Sequence, residues 1–308
     1  MSAEREKASL TERLVAAGFA AGWTLLPKLP ERLTSAAFRM AADQVWRRRG
    51  KGVLRLEANL ARVTGMTPGS PQMRELSRAG MRSYLRYFHE VFRLPAMDPA
   101  EVVARSHVIG LEHVQAAAEE GRGAVLALPH MGNWDQAGAW LAAVGHPFTT
   151  VAERLRPESL YLRYTRFREG LGMEVLPLTG GDGHSYATLA QRVRRGGVVC
   201  LPAERDLTSK GVPVRFYGEA SRVPAGPPLL AVQTRCALLP VILWFEGDDW
   251  GIHIHPEIPV PEEGTRQEKV AAVAQSLVDV FEKGIAEHPQ DWHMLQRLWL
   301  SDLEPRHG

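Results

Sequence analysis

The chain has 308 residues, 45% of them hydrophobic and 23% charged, which suits a folded protein with a sizeable core, in one large domain or two, and excludes a disordered chain. Net charge is only +2, but residues 1–110 hold 18 Lys+Arg against 10 Asp+Glu, while the remainder holds 19 against 25. A basic first third on a mildly acidic body points to an anionic surface as partner, either membrane headgroups or nucleic acid.

Leu14 to Leu26 (LVAAGFAAGWTLL) is the longest uncharged stretch near the start, between Arg13 and Lys28. It is too short to span a bilayer, and no Ala-x-Ala cleavage site follows it. Two readings stay open: a helix lying in a membrane interface, with Trp23 at headgroup level, or a helix packed on the body. Pro30-Glu31 opens a second helix that runs to Arg49. It ends in Arg47-Arg48-Arg49-Gly50-Lys51, which suits either phosphate headgroups or a solvated helix end.

Val53 to Val63 reads as a third helix, and Gly65 to Pro71 breaks the pattern. From Gln72 to Phe92 a further helix carries Met81, Tyr84, Leu85, Phe88 and Phe92 at helical spacing, a stripe more typical of a core than of a lipid-binding face. Asp98-Pro-Ala-Glu101 has the form of a helix start with a capping box.

Beyond His107 strands alternate with helices. Strands are expected at Val108-Ile109, Ala124 to Leu128, Phe148 to Val151, Met173 to Leu178, Val198 to Leu201 and Leu239 to Phe245. Helices are expected over Leu111–Glu120, Trp134–Val144, Pro157–Leu171, Tyr186–Arg195 and Arg266–Glu287, with another holding Leu229–Thr234 after Pro227-Pro228. Thr179-Gly-Gly-Asp-Gly183 reads as a turn and Val214–Tyr217 as an extended segment. Trp250 to Ile258 alternates, as an antiparallel edge strand does. The expected architecture is α/β, a mostly parallel central sheet flanked by helices. Residues 1–105 form a helical, basic, membrane-associating region, and residues 106–308 one compact core. Cys200 and Cys236 stand in apolar runs, which excludes a disulfide framework or CxxC zinc pair and fits a reducing setting.

The stretch richest in chemistry is Gly123-Ala-Val-Leu-Ala-Leu-Pro-His130-Met-Gly-Asn-Trp-Asp135. A buried strand ends at Pro129, Gly132 permits a tight turn, and Asn133 can cap the next helix. His130 then sits at the strand's carboxyl end, where open α/β sheets place their chemistry. Asp135, in the helix's first turn, is close enough to orient an imidazole. The spacing alone is weak, since His107 stands five residues before Glu112; the context is what separates His130. Pro202-Ala-Glu204-Arg205-Asp206 repeats the pattern, and Glu204 can pair with Arg205 or face His130 across neighbouring strand ends.

These blocks, followed by Gly211-Val-x-Val-x-Phe-Tyr-Gly218, Val223-Pro-Ala-Gly226 and Leu239-Pro-Val241, resemble the lysophospholipid and lipid A acyltransferase superfamily. Within it the resemblance is greatest to the phosphatidylinositol mannoside acyltransferases of actinobacteria. It extends through Phe148–Arg154, Arg156–Leu160, Glu174–Gly181 and Asp291-Trp-His-Met-Leu-Gln296, from about residue 75 to the end. The resemblance implies His130 as the base that deprotonates an acceptor hydroxyl, with no acyl-enzyme, and Asp135 and Glu204 as the carboxylates. Which of the two contacts the imidazole stays open. It also implies Arg168, Lys210 and Gln233 as substrate-binding positions, with Gln233 standing where relatives are expected to carry an acid. The implied donor is long-chain acyl-CoA (palmitoyl) and the implied acceptor a mannose hydroxyl of phosphatidylinositol mannoside. The implied setting is peripheral, on the cytoplasmic face of the plasma membrane, with no cofactor, no metal and no nucleic acid. Leu126, Trp134, Val199 and Phe245 are candidates for an acyl tunnel and equally for plain core.

Rival classes leave traces of their own. A serine hydrolase needs Gly-x-Ser-x-Gly, and a nucleotide-binding protein a glycine-rich phosphate loop; neither occurs. His253 and His255 alternate on one strand, without a third metal ligand nearby. A thioesterase using His130 with water, or an acyltransferase for another glycolipid or lysophospholipid, remains open. A non-enzymatic membrane or nucleic-acid binder explains the basic first third but not the His130 constellation.

Overall fold

The computed structural model describes residues 10–154, 157–178, 185–206 and 210–303. The turn expected at Thr179–Gly183, and Arg156, lie outside them. Helices come first: α1 (Leu10–Leu25), α2 (Glu31–Arg47), α3 (Lys51–Thr64), α4 (Pro71–Arg93) and α5 (Pro99–Ala104). Then follow β1 (Ser106–Ile109), α6 (Leu111–Glu119), β2 (Ala124–Leu128), α7 (Trp134–Ala143), β3 (Phe148–Ala152), α8 (Glu158–Gly170), β4 (Met173–Pro177), α9 (Ser185–Arg194) and β5 (Val198–Pro202). The chain continues with β6 (Val212–Phe216), β7 (Glu219–Val223), α10 (Gly226–Thr234), β8 (Ala237–Glu246), β9 (Asp249–Ile254), α11 (Arg266–Glu287) and α12 (Leu300–Leu303).

Local chemistry sets the helix starts. Ser70 Oγ accepts from Met73 N at 3.2 Å ahead of Pro71, and Thr265 with Glu268 forms a reciprocal capping box on α11. Asp98 caps Ala100 N at 2.8 Å, but the box expected with Glu101 is not closed. Glu101 instead accepts from Arg105 at 3.0 Å, a charge-assisted bond one turn on.

Seven strands form one sheet in the order β1-β9-β8-β2-β5-β3-β4, and β6 and β7 form a separate hairpin. All neighbours in the large sheet are parallel except β8 and β9. The α/β, mostly parallel architecture read from the sequence is therefore the one observed. Two expectations change. β9 is antiparallel to β8 as expected but is not an edge, because β1 adds on its far side in parallel register. The extended segment expected at Val214–Tyr217 is β6, one arm of a hairpin with Tyr217 in its turn at φ 48°; the other arm, β7, is too polar on its solvent face to stand out by alternation.

β2 is buried at every position and lies between β8 and β5. Its neighbour β5 arrives only after β3, α8, β4 and α9 have been laid down on the far side. The register pairs Leu128 with Pro202, and Ala203 N donates to Leu128 O at 2.9 Å. The residues two beyond each end, His130 and Glu204, thereby meet.

The first helices are tied to this core. In α1, Ala16, Phe19 and Trp23 face inward, while Leu14, Val15 and Leu25 are exposed. Trp23 is half-buried: its ring packs on Phe92, Tyr164 and Phe167, and its Nε1 donates to Val91 O at 3.2 Å. An amphipathic α1 with aromatics on one side buries those first, since its rings carry the most apolar area that it can remove from water. Arg49 is likewise drawn out of the basic run by a bidentate bond to Glu57 at 2.8 and 2.9 Å, leaving Arg47, Arg48 and Lys51 exposed. No described helix is long and apolar enough to cross a membrane.

Candidate active site

After β2 the chain turns through Pro129, His130, Met131 and Gly132 into α7. Gly132 has φ 56°, and a Cβ there would stand 2.8 Å from the Leu243 carbonyl carbon, so only glycine fits this turn. Asn133 Oδ1 accepts from Gln136 N at 3.0 Å while its Nδ2 donates to Glu90 at 2.7 Å, fixing the start of α7 to α4. A second clamp comes from the carboxyl-terminal segment. His293 N donates to His130 O at 2.8 Å, and Gly132 N donates to Asp291 O at 2.9 Å.

Glu204 is fully buried and accepts from both the backbone N and the Nδ1 of His130 at 2.7 Å. An ionised carboxylate only accepts, so the pairing places the imidazole proton on Nδ1. Nε2 is left with a free lone pair and no protein partner among the described residues. The His130 side chain is 34% exposed and opens on a cavity of about 870 Å³ at the carboxyl ends of β2, β3, β4 and β5. The edge of Trp134 packs against the imidazole, with ring centroids 5.5 Å apart.

Asp135 lies elsewhere. It is 1% exposed and accepts from Arg168 Nε at 2.6 Å, from Arg168 Nη2 at 3.2 Å and from the Tyr87 hydroxyl at 2.7 Å. Of the two candidate carboxylates, Glu204 is the one on the imidazole, and Asp135 holds Arg168 instead. Burial opposes the Arg168 charge, but the Asp135 carboxylate outweighs it and holds the guanidinium above its usual value. Burial, then the same carboxylate, pushes the Tyr87 phenol well above its ordinary value, so it stays a neutral donor.

Lys210 stands exposed on the rim of the large cavity, and Arg205 lies in its wall. Gln233 is on α10, one hydrogen bond behind the wall: the Tyr186 hydroxyl, whose ring lines the cavity, donates to Gln233 Oε1 at 2.7 Å. Asp206 Oδ2 accepts from Gly211 N at 2.7 Å. A smaller apolar cavity of about 80 Å³ lies between α7 and the sheet, lined by Leu126, Phe148 and Met173 among others. Trp134, Val151, Arg168 and Pro202 line both spaces. Of the four tunnel candidates Leu126 and Trp134 border the small cavity, whereas Val199 and Phe245 border neither. His253 and His255 stack at 3.8 Å, and no group of three metal-ligating side chains occurs among the described residues.

Sequence reasoning passes over Tyr87, Ser83, Asp291 and His293. Ser83 Oγ donates to Asp291 at 2.6 Å, so it receives the Nε2 proton of His293 at 2.9 Å. Burial, and then the charge of His130, pushes the His293 imidazole down to about 3. Only the Asp291–Gln296 block points toward this segment; Tyr87 reads merely as part of an aromatic helix.

The chain is 50% identical over 286 residues to the phosphatidylinositol mannoside acyltransferase of Mycolicibacterium smegmatis, covering 93% of this chain and 91% of that protein. The protein of the same name from Mycobacterium tuberculosis is 48% identical over 299 residues, covering 96% and 92%. A lipid A biosynthesis acyltransferase of Haemophilus influenzae is 26% identical over 168 residues, covering 53% and 52%. The family model described as bacterial lipid A biosynthesis acyltransferase matches residues 4–301. The chain therefore belongs to the bacterial lipid A biosynthesis acyltransferase family and is an acyltransferase.

Proposed function

We propose that the protein moves a long-chain acyl group, palmitoyl, from acyl-CoA to a mannose hydroxyl of phosphatidylinositol mannoside. The observation that carries the chemistry is the His130–Glu204 contact at the floor of the large cavity. The acceptor comes from the name shared by relatives about half identical over most of the chain. His130 Nε2 takes the hydroxyl proton as the oxygen attacks the thioester carbonyl, and Glu204 stabilises the imidazolium that forms. As the carbon–oxygen bond closes and the carbon–sulfur bond breaks, that proton passes to the departing thiolate. The ester and free coenzyme A result, with no acyl-enzyme. Arg168 supplies donors beside the reacting carbonyl, the apolar cavity under Trp134 receives part of the acyl chain, and Lys210 lies where the donor enters. The site needs no cofactor.

The same reading places the protein on the cytoplasmic face of the plasma membrane, held by residues 1–105. Leu33 and Met40 of α2 are 68% and 67% exposed, on one side of the helix, with Arg32, Arg39, Arg47 and Arg48 exposed around them. An apolar stripe with flanking cations fits an anionic lipid surface. Replacing both Leu33 and Met40 by Glu is expected to weaken co-sedimentation with anionic vesicles by about 100-fold, from lost apolar burial and added repulsion. Turnover of a detergent-dispersed acceptor should be retained. Unchanged vesicle binding would remove α2 as the contact.

The test of the reaction is coenzyme A release from palmitoyl-CoA with and without phosphatidylinositol mannoside, with the lipid product followed by mass spectrometry. Acceptor-dependent release with acylated lipid is the expected result. Equal release without acceptor would make the enzyme a thioesterase, and release only with another glycolipid would reassign the acceptor.

A further inference from the structure

Asp135 lies five residues after His130, yet its hydrogen bonds lead away from the imidazole. Both its oxygens are occupied: Oδ1 by Arg168 Nε at 2.6 Å, and Oδ2 by Arg168 Nη2 at 3.2 Å and the Tyr87 hydroxyl at 2.7 Å. All three side chains are largely removed from water, with Tyr87 3%, Asp135 1% and the Arg168 side chain 16% exposed. A buried carboxylate with three donors has little freedom left to move. Its charge balances a guanidinium that would otherwise be costly to bury.

The chain of contacts ends at the cavity. With Nε and Nη2 turned to Asp135, the Nη1 of Arg168 has no protein partner among the described residues, and Arg168 borders both the large cavity and the apolar one. Tyr87 joins this set from a different element, α4, and its ring lies tilted on Trp134 with centroids 4.1 Å apart. Trp134 in turn meets the His130 ring. One residue thus touches the aromatic wall beside the base and the carboxylate behind the arginine.

We propose that Tyr87 is a positioning residue for acyl transfer, acting through Asp135 to aim the free Arg168 Nη1 at the oxygen of the reacting thioester, and that Asp135 serves Arg168 rather than His130. This rests on the acyltransferase chemistry proposed above. The tetrahedral intermediate carries a negative oxygen, and a donor fixed before the reaction stabilises it more than one that must be recruited. A phenol held neutral by burial donates without competing for the carboxylate's charge. The hydroxyl, rather than the ring, is the part of Tyr87 that does this.

The experiment compares wild type with Tyr87→Phe, Asp135→Asn and the double variant. Tyr87→Phe keeps the ring against Trp134 and removes one hydrogen bond. We expect kcat to fall about 10- to 100-fold, the penalty of a misplaced group, with KM for palmitoyl-CoA changed far less. The double variant should lose little more than the worse single one, because both act through Arg168. The acid limb of the pH profile, which reports the base, should stay where it is in all three. The Arg168 Nε–H signal, assigned with Arg168→Lys, should exchange with water at least about tenfold faster in Tyr87→Phe once a hydrogen bond on its partner is gone.

Unchanged kcat per folded molecule in Tyr87→Phe, or unchanged Nε–H exchange, would overturn the proposal. So would an acid limb that moves in Asp135→Asn, since Asp135 would then act on His130. Should Tyr87→Phe fail to fold, Asp135→Asn decides by the same limb and the same kcat-against-KM split. Absence of acceptor-dependent turnover in the wild type would instead sink the acyltransfer reading, and the Nε–H exchange would still decide whether Tyr87 holds Arg168.

Discussion

Glu204→Gln is expected to lower kcat by about 10³-fold while leaving the fold intact, and His130→Ala to lower it at least as far. The Gln side chain has the same length and its amide oxygen can still accept from His130 N, which the carboxylate does at 2.7 Å. What it loses is charge. A carboxylate favours the imidazolium formed when the acceptor proton arrives, whereas a neutral amide gives no such stabilisation, and its NH₂ can turn the ring into the wrong tautomer. Glu204 is fully buried, so water does not screen the missing charge. Asp135→Ala in the same assay should lose activity through Arg168 and not through the base. A Glu204→Gln enzyme with more than about a tenth of wild-type kcat would show that the imidazole needs no carboxylate.

A second large effect concerns acid. His89 hydrogen-bonds Thr34 Oγ1 at 2.8 Å between α4 and α2, and burial, then Arg93 and Arg86, pushes its imidazole down to about 4. His293 is pushed down to about 3. Both are buried, at 3% and 4% exposure. In the unfolded chain each takes up a proton near pH 6.5, but the folded protein keeps both neutral until far lower pH. Their contribution is therefore complete above about pH 6.5 and is lost as pH falls from there toward 4, by about 1.4 kcal/mol per histidine per pH unit. Asp291, whose carboxyl burial holds up, acts in the opposite direction and offsets part of the loss. Urea unfolding at pH 7.5 and pH 5.0 should show a loss to which His89 and His293 together contribute about 3 to 4 kcal/mol. Half-buried His255, also pushed down to about 4 by burial, adds to it, and His89→Gln should reduce the loss by about 2 kcal/mol. An equal loss in both proteins would exonerate His89.

Part of the site is legible in the residues alone. The apolar run Ala124–Leu128, the proline after it, the Gly132 turn and the Asn133 cap depend on neighbours in sequence, and those local rules place His130 at a strand end. Pro202-Ala-Glu204 is legible for the same reason. The amphipathic first helices are visible as a basic, apolar segment, but not which way Trp23 turns. That depends on Phe92, Tyr164 and Phe167, which come from helices far along the chain. Tyr87 is invisible as a site residue, because on its helix it reads as one more aromatic of the core stripe, and His293 is marked only by the resemblance of the Asp291–Gln296 block, which carries no role for it.

The sequence by itself determined the alternation of strands and helices, the mostly parallel sheet, the strand-end positions of His130 and Glu204 and, by resemblance, the family. Periodicity, turn residues and caps act over a few positions, and a reader of the chain sees them all. Only the tertiary structure decided the partners. Threading β5 between β2 and β3 with Leu128 opposite Pro202 brings Glu204 to His130. The helical position of Asp135 on α7, against α8 and α4, gives it to Arg168 and Tyr87. Register and packing are set by burial summed over the whole core, and so no spacing within a motif can specify which carboxylate an imidazole meets.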